Sequence, residues 1–267
     1  MRKILWLAAL LGLFLLWENF TLESETLSLY PETLPEDFDG LRILQISDLH
    51  GRSFGREHRL LLQKATEAQP ELICITGDLF EADTALSSLE PLIRELCDLA
   101  PVYYVTGNHE WQRQDLKACL KQLESWGATV LQNEYRLLQR GSSTIAIVGV
   151  DDPCGPYDRK MPQELMAELR QEVGEDCFVL ALDHRNDHLS LWAQLGADLV
   201  LSGHCHGGVI RLPFVGGLIG PGRKFFPDYD AGLYRNGGTQ LYVSRGLGFP
   251  LRLFNRPQLP LLVLNRK

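Results

Sequence analysis

Five places in this chain carry side chains able to bind metals or move protons, and each follows directly on an apolar run. Ile43-Leu44-Gln45-Ile46 leads into Ser47-Asp48-Leu49-His50, and Leu72-Ile73-Cys74-Ile75-Thr76 leads into Gly77-Asp78. Val102-Tyr103-Tyr104-Val105 leads into Thr106-Gly107-Asn108-His109-Glu110. Farther on, Phe178-Val179-Leu180-Ala181-Leu182 ends on Asp183-His184, and Leu199-Val200-Leu201 ends on Ser202-Gly203-His204-Cys205-His206-Gly207-Gly208. Two Asp, one Asn and four or five His are thereby offered, with no cysteine required as a ligand. Hard oxygens mixed with imidazoles suit Mn, Fe or Zn rather than Ca or Mg alone, and the lack of thiolates argues against a structural zinc. The donors suffice for two ions about 3.5–4 Å apart sharing a carboxylate, a pair that clamps a phosphoryl group and generates a hydroxide near neutral pH. Each fragment alone has an ordinary reading: Gly77-Asp78 and Gly107-Asn108 are common turn dipeptides, and a single His184 is more often a surface or core histidine. Chance would rarely supply all five, in order, each directly after an apolar run.

A short apolar run that stops abruptly on polar groups reads as a buried strand. Residues i and i+2 of a strand point to one side, so Asp48 with His50, and His204 with His206, project into a shared crevice. That crevice lies at the carboxyl ends of the strands, where open α/β sheets place their sites. Helical spacing between these runs covers 56–68, 84–99, a stretch ending at Trp126, 162–173 and 188–195. Strand alternating with helix implies an α/β fold with a mostly parallel sheet. The middle differs: short strands at 129–131, 135–138 and 143–150 look like hairpins. The Gly-rich last part suggests strands at 240–244, 251–254 and 259–264.

The 267 residues can bury a full core, and the net charge of -8 argues against non-specific nucleic-acid binding. The charge is unevenly spread: from Gly207 onward nine basic residues face two acidic ones, a balance of +7, which leaves -15 for the rest. Such a segment suits an anionic substrate or an anionic membrane surface, although a solvated basic face explains it equally well. Arg2 and Lys3 precede fourteen residues, 4–17, without a charge or proline. No small-residue cleavage site follows, so the expectation is an uncleaved signal-anchor over 1–22, with a linker and edge strand over 23–40 and a catalytic domain over 41–267. Basic residues before the segment and acidic ones after it put the N-terminus inside, giving a single-pass cell-membrane protein with its catalytic domain outside the cytoplasm. The six cysteines show no Cys-x-x-Cys spacing, so neither a zinc ribbon nor a disulfide scaffold is indicated.

Asp48-x-His50, Gly77-Asp78, Gly107-Asn108-His109-Glu110, His184 and Gly203-His204-x-His206 together resemble the calcineurin-like metallophosphoesterases. Gly207-Gly208, 211–214, 222–225 and 244–248 carry a second level of likeness, to the membrane-associated bacterial YkuE/YaeI-like branch. The resemblance covers about 40–265 and implies a four-layered α/β/β/α sandwich, here with an N-terminal membrane anchor. It also implies one metal held by Asp48, His50, Asp78 and His206, and a second held by Asp78, Asn108, His184 and His204, with Asp78 bridging. By the same likeness Asn108 and His109 contact substrate, and His109 is a catalytic non-ligand that protonates the leaving group; histidine suits that task because it titrates near neutrality.

The expected activity is therefore hydrolysis of phosphate mono- or diesters by a metal-activated hydroxide, in a membrane-tethered monomer acting on lipid-linked substrates. A nucleotide phosphodiesterase of the same chemistry and a non-catalytic metal-binding scaffold are the alternatives. Two departures from the family pattern stand out. His184-Arg185-Asn186-Asp187 lacks the usual proline and leaves His188 as a rival ligand, although His184 directly ends its strand. Cys205 stands where threonine is usual, and alternation points it away from the metals.

Overall fold

The computed structural model describes residues 2–156, 159–248 and 251–267. Two six-stranded sheets lie face to face. The first has the order β1-β14-β2-β3-β4-β5 and the second β12-β13-β9-β8-β7-β6. In the first, β2 (Leu41–Ile46), β3 (Leu72–Thr76), β4 (Val102–Val105) and β5 (Thr129–Val130) run parallel. Next to β2, β14 (Gln258–Leu264) is antiparallel, and β1 (Glu23–Leu29) pairs parallel to β14 at the edge. In the second, β7 (Ser143–Gly149), β8 (Phe178–Leu182), β9 (Leu199–Ser202) and β13 (Thr239–Val243) run parallel, flanked by antiparallel β6 (Glu134–Arg140) and β12 (Gly232–Asn236). A two-stranded ribbon, β10 (Arg211–Leu212) with β11 (Gly216–Gly217), follows the last motif.

The alternation of side chains along each strand builds three apolar cores. Ile43, Leu72 and Cys74 face Ile147, Leu180 and Leu201 between the sheets. Their neighbours Leu44, Ile73 and Ile75 point the other way, onto Leu61 of α2 (Arg59–Ala68), Leu92 and Leu96 of α3 (Glu90–Leu99) and Leu120 of α4 (Leu116–Ser125). Val148, Val179 and Val200 meet Leu165 and Leu169 of α5 (Pro162–Val173) and Trp192 of α6 (Leu189–Leu195). Each of these central strands is thus covered on both faces, which is why it reads as an unbroken apolar run. The layers are α/β/β/α, with two parallel-rich sheets where strand alternation alone suggested one.

Elsewhere the elements depart from expectation at places with a local cause. The helix expected from 56 begins at Arg59, because Glu57 and His58 take positive φ. The one expected from 84 begins at Glu90, after a 3-10 turn over Leu86–Leu89. Residues 251–254 form no strand; Leu253 makes a single bridge to Ile210. The stretch expected as linker with a short edge strand carries the seven-residue β1, held by full pairing to β14.

The N-terminus forms α1 (Arg2–Phe20); Met1 of the expected 1–22 segment lies outside the described residues. Among the described residues no helix is long and apolar enough to cross a membrane, so the single-pass expectation finds no support there. The free apolar length of α1 is short. Glu18 and Asn19 are folded into the domain, where Glu18 accepts from Asn255 N (2.9 Å) and Asn19 exchanges hydrogen bonds with the Arg252 backbone (2.7 and 3.0 Å). The uncharged run 4–17 then rises only about 21 Å, against a hydrocarbon core of about 30 Å.

Candidate metal centre

Five strand ends, β2, β3 and β4 from one sheet and β8 and β9 from the other, converge at one edge of the sandwich. A buried cross-link fixes their approach: Gln45 of β2 donates from Nε2 to Thr76 Oγ1 and to the Ser202 carbonyl, both at 2.9 Å. Beyond the strands the backbone turns sharply. Asp48 (φ 51°), His50 (52°), Asp78 (50°), His204 (66°) and His206 (52°) all lie in the left-handed region, which non-glycine residues seldom occupy. Concentrated strain of this kind accompanies functional sites. The adjacent glycines are required by space: a Cβ on Gly107 would strike the Asp78 carboxylate, and one on Gly203 would strike Ser47 and Asp48.

These turns bring the expected residues into two groups that share Asp78. Asp48, His50, Asp78 and His206 place one potential ligand atom each within 4.8 Å of one another, as do Asp78, His184 and His204. His50 Nε2 lies 3.8 Å and His184 Nε2 3.3 Å from Asp78 Oδ2, and His206 Nε2 lies 3.7 Å from Asp48 Oδ1. Asn108 sits beside Asp78 and His204 on the wall of the adjoining cleft. His109 is on the same wall, its backbone N–H donating to Asp78 Oδ1 (2.9 Å) and its Nε2 lying 3.9 Å from Asp78 Oδ2. His188 is elsewhere, tied through Nδ1 to Asp183 at 2.7 Å and outside both groups, so position favours His184. Cys205 is buried in the core beneath the helices of the second sheet, and burial pushes its thiol up to about 12. All six cysteines are free thiols.

Electrostatics and hydrogen bonding suit the groups to cations. Burial raises the Asp48 carboxyl. Burial would raise Asp78 too, but His184 and then His50 and His109 outweigh it and hold that carboxyl well below the ordinary range. Burial lowers His184, yet the Asp78 charge and hydrogen bond, joined by Asp48, lift it to about 10. Two sequestered carboxylates thus draw in a positive charge. His206 is driven well below its ordinary value by burial and by His50, and His204 falls to about 3 through burial, His184 and Arg185. Neutral imidazoles are the form that ligates a metal. His184 Nδ1 donates to the Thr76 carbonyl at 2.8 Å and so turns Nε2 inward. Among the described residues, the buried atoms His50 Nε2 and Asn108 Oδ1 have no hydrogen-bond partner. An orphaned imidazole nitrogen and amide oxygen beside a shared carboxylate fit a pair of divalent ions.

Two residues outside the expected set hold this arrangement together. Glu81 takes the Nδ1–H of His50 on Oε1 and that of His109 on Oε2, each at 2.6 Å. Although His50, Glu81 and His109 also form a close group, separations of 2.6 Å are those of hydrogen bonds, so Glu81 orients the two rings. Buried Glu110 accepts from Asp78 N (3.0 Å), Leu79 N (2.6 Å) and Gly107 N (2.8 Å), which clamps the turns after β3 and β4 together. Burial, reinforced by the Asp78 charge, raises its carboxyl to about 7. Nothing in the sequence marks Glu81 beyond its position three residues after Asp78. Glu110 closes the Gly107-Asn108-His109-Glu110 run, whose residue types alone do not reveal its role.

A cleft of about 470 Å³ opens over the groups, with Arg185 and Arg223 on its walls. Arg185 is anchored to buried Asp152 through Nε (2.5 Å) and Nη2 (2.9 Å), and its Nη1 lies 3.0 Å from His204 Nε2. An anchored guanidinium beside a cation site, with a second at the cleft wall, favours an anionic ligand.

Residues 41–208 match the calcineurin-like phosphoesterase family. The chain is a calcineurin-like metallophosphoesterase. It is 28% identical over 257 residues to the Bacillus subtilis metallophosphoesterase YkuE, covering 92% of this chain and 87% of that one. It is 30% identical over 235 residues to phosphodiesterase YaeI of Escherichia coli, covering 84% and 82% of the two chains. Among solved structures, the fold is similar to that of the Thermus thermophilus sulfate thiohydrolase SoxB, with a TM-score of 0.51 at 16% identity. That match covers 87% of this chain and 57% of SoxB. Membership of the family makes this metallophosphoesterase a hydrolase of phosphoric esters, with divalent metals as its cofactors.

Proposed function

We propose that the protein hydrolyses phosphate mono- or diesters borne on lipid headgroups, using two divalent ions, Mn, Fe or Zn, and that α1 tethers it to the membrane. The observation that carries the two-ion reading is Asp78, a single carboxylate common to both ligand groups. Asp48, His50, Asp78 and His206 would hold one ion, and Asp78, Asn108, His184 and His204 the other. Bound ions supply Lewis acidity toward the phosphoryl oxygens and lower the pKa of water. The chain's own groups do the rest. Arg185 and Arg223 orient the anion in the cleft. Asn108 and His109 contact its oxygens. When protonated, His109 carries a hydrogen on both nitrogens: Nδ1–H goes to Glu81, and Nε2–H is free to pass to the leaving oxygen.

A nucleotide substrate is less well served, because no Phe, Tyr or Trp is found among the described residues lining the cleft to offer a base a large ring to stack on. A scaffold without activity would have no need of a positioned His109. The exposed apolar surface of α1, including Leu5, Trp6, Leu7, Leu10 and Leu13, supports the tether.

The test is metal analysis together with turnover of p-nitrophenyl phosphate and its bis-ester. The wild type should bind two ions and turn over at least one ester. Asp78→Ala should lose both ions' worth of occupancy, and His109→Ala should keep the metal yet lose about 10²–10⁴-fold in kcat. Two bound ions without turnover, or undiminished turnover in both variants, would overturn the assignment.

A further inference from the structure

The wall of the cleft is also the inner side of a lobe, residues 209–226, whose outer side belongs to no core. Val209, Ile219, Gly220 and Arg223 line the cleft. On the outside, Phe214 at the tip between β10 and β11 is fully exposed (109%), with Phe225 at 65%, Val215 at 61% and Phe226 at 57%. None of these joins any of the three apolar clusters. Phe214 and Phe226 also sit at positive φ (65° and 48°), where glycine or asparagine is the ordinary occupant, so bulky apolar side chains have been placed against the local backbone preference. Exposed apolar patches of this kind mark interaction surfaces.

We propose that this lobe docks on the surface of an anionic phospholipid bilayer. Phe214, Val215, Phe225 and Phe226 enter the acyl boundary, and Arg223 and Lys224 meet lipid phosphates. The mouth of the cleft is thereby held at headgroup level.

Two observations select lipid over a protein partner. The first is charge. Residues 209–226 contain three basic residues and no acidic one, within a C-terminal segment of nine basic and two acidic residues in an otherwise acidic chain. Arg211 is engaged by Asp230 at 2.9 Å, and Lys224 makes only a solvent-exposed pair with Asp228 at 2.7 Å, while Arg223 lies at the rim of the cleft. Basic side chains flanking aromatic ones are the pattern of interfacial binding to anionic membranes. The second is continuity with α1. Ile210 bridges to Leu253, and the Arg211 N–H donates to the Leu253 carbonyl at 3.0 Å. The next residue, exposed Phe254, lies 5.6 Å ring to ring from Phe14 of α1. The exposed apolar residues of α1 run around its circumference, from Leu5, Trp6 and Leu7 to Leu13 and Leu16. A protein groove covers one stripe of a helix, whereas lipid wets every side.

The lipid contact is independent of the phosphoesterase reading; only presentation of the cleft to a headgroup rests on it. The experiment follows amide hydrogen exchange of residues 209–228 in the full-length protein, with vesicles of phosphatidylcholine alone and of phosphatidylcholine mixed with phosphatidylglycerol. Because α1 can hold the chain on either vesicle, the local exchange of the lobe is the readout. Exchange should slow on the anionic vesicles and less on the neutral ones, and Phe214→Ser/Phe226→Ser should abolish the slowing. That variant should leave p-nitrophenyl phosphate turnover unchanged, since both side chains are exposed and outside the ligand groups. It should also lose about tenfold or more of its turnover on a p-nitrophenyl phosphate ester carrying acyl chains in the anionic vesicles. Exchange unaltered by anionic vesicles, slowed equally in the variant, or slowed by protein concentration without lipid would overturn the docking. Slowed exchange with no turnover of either ester would sustain the docking and sink the phosphoesterase reading instead.

Discussion

Glu81 offers the sharpest test of how the metal centre is built. Its two oxygens each take the Nδ1–H of a histidine at 2.6 Å, one ring (His50) proposed as a ligand and the other (His109) as proton donor. Those bonds, that of His50 foremost, outweigh burial and hold the Glu81 carboxyl below its ordinary range, so it is charged at neutral pH. A hydrogen bond to a charged group contributes about 1.5–3 kcal/mol, and removing such an outer partner typically costs 10–100-fold in metal affinity or activity. Glu81→Gln keeps an acceptor for only one ring. The other ring then faces an N–H and must present Nδ1 as a lone pair, which moves its hydrogen to Nε2. On His50 that removes the lone pair facing Asp78, and on His109 it leaves a neutral ring without the carboxylate charge that favours its protonated form. Glu81→Ala frees both rings. The assay is metal content by plasma mass spectrometry alongside kcat for a neutral-pH test ester as a function of added Mn. Both variants should need about 10–100-fold more metal for full occupancy, and at saturating metal kcat should still fall by about 10-fold or more. Occupancy and kcat of Glu81→Ala both within about threefold of wild type would refute the reasoning, because neither ring would then depend on the carboxylate.

Two further outcomes follow from groups behind the site. Glu110→Gln turns an N–H toward at least one of the three buried backbone donors, so stability to urea should fall by about 1–3 kcal/mol; an unchanged midpoint would show that the clamp is dispensable. Asp151, which accepts from Thr106 and Asn133, is raised by burial from 3.8 to about 6. A carboxyl raised in the folded state favours the protonated protein, so its contribution is complete below about pH 4 and is lost as pH rises through about 6, a change of roughly 3 kcal/mol. Asp151→Asn should therefore gain on the wild type by about that amount between those pH values. A constant difference across the window, measured by denaturant titration, would contradict the assignment.

Much of the site was legible because its elements obey local rules. A strand buried on both faces must be apolar throughout, so the positions where β2, β3, β4, β8 and β9 end on Asp48, Asp78, Asn108, His184 and His204 stand out against it. Period-two alternation pointed to Asp48 with His50 and His204 with His206, but β2 ends at Ile46 and β9 at Ser202, so it is left-handed turns beyond the strands that carry these side chains to the cleft. What local rules could not supply were relations between distant segments. Pairing of β1 with β14 drew the N-terminal stretch into the first sheet, and the burial of Glu18 and Asn19 shortened the free apolar length of α1. Neither is written in residues 18–29 themselves. His184 and His188 are both histidines near one strand end, and only the fold turns the first toward Asp78 and the second toward Asp183. Glu81 and Glu110 are single acids whose importance lies in what they face across the turns. Sequence alone pointed to the residues proposed to carry the chemistry and to the strands that lead into them, since hydrophobic periodicity and residue type are local. Tertiary structure decided which nitrogen of each ring faces Asp78, which backbone turns take left-handed conformations and which acids hold them there, because those depend on contacts that form only when both sheets meet.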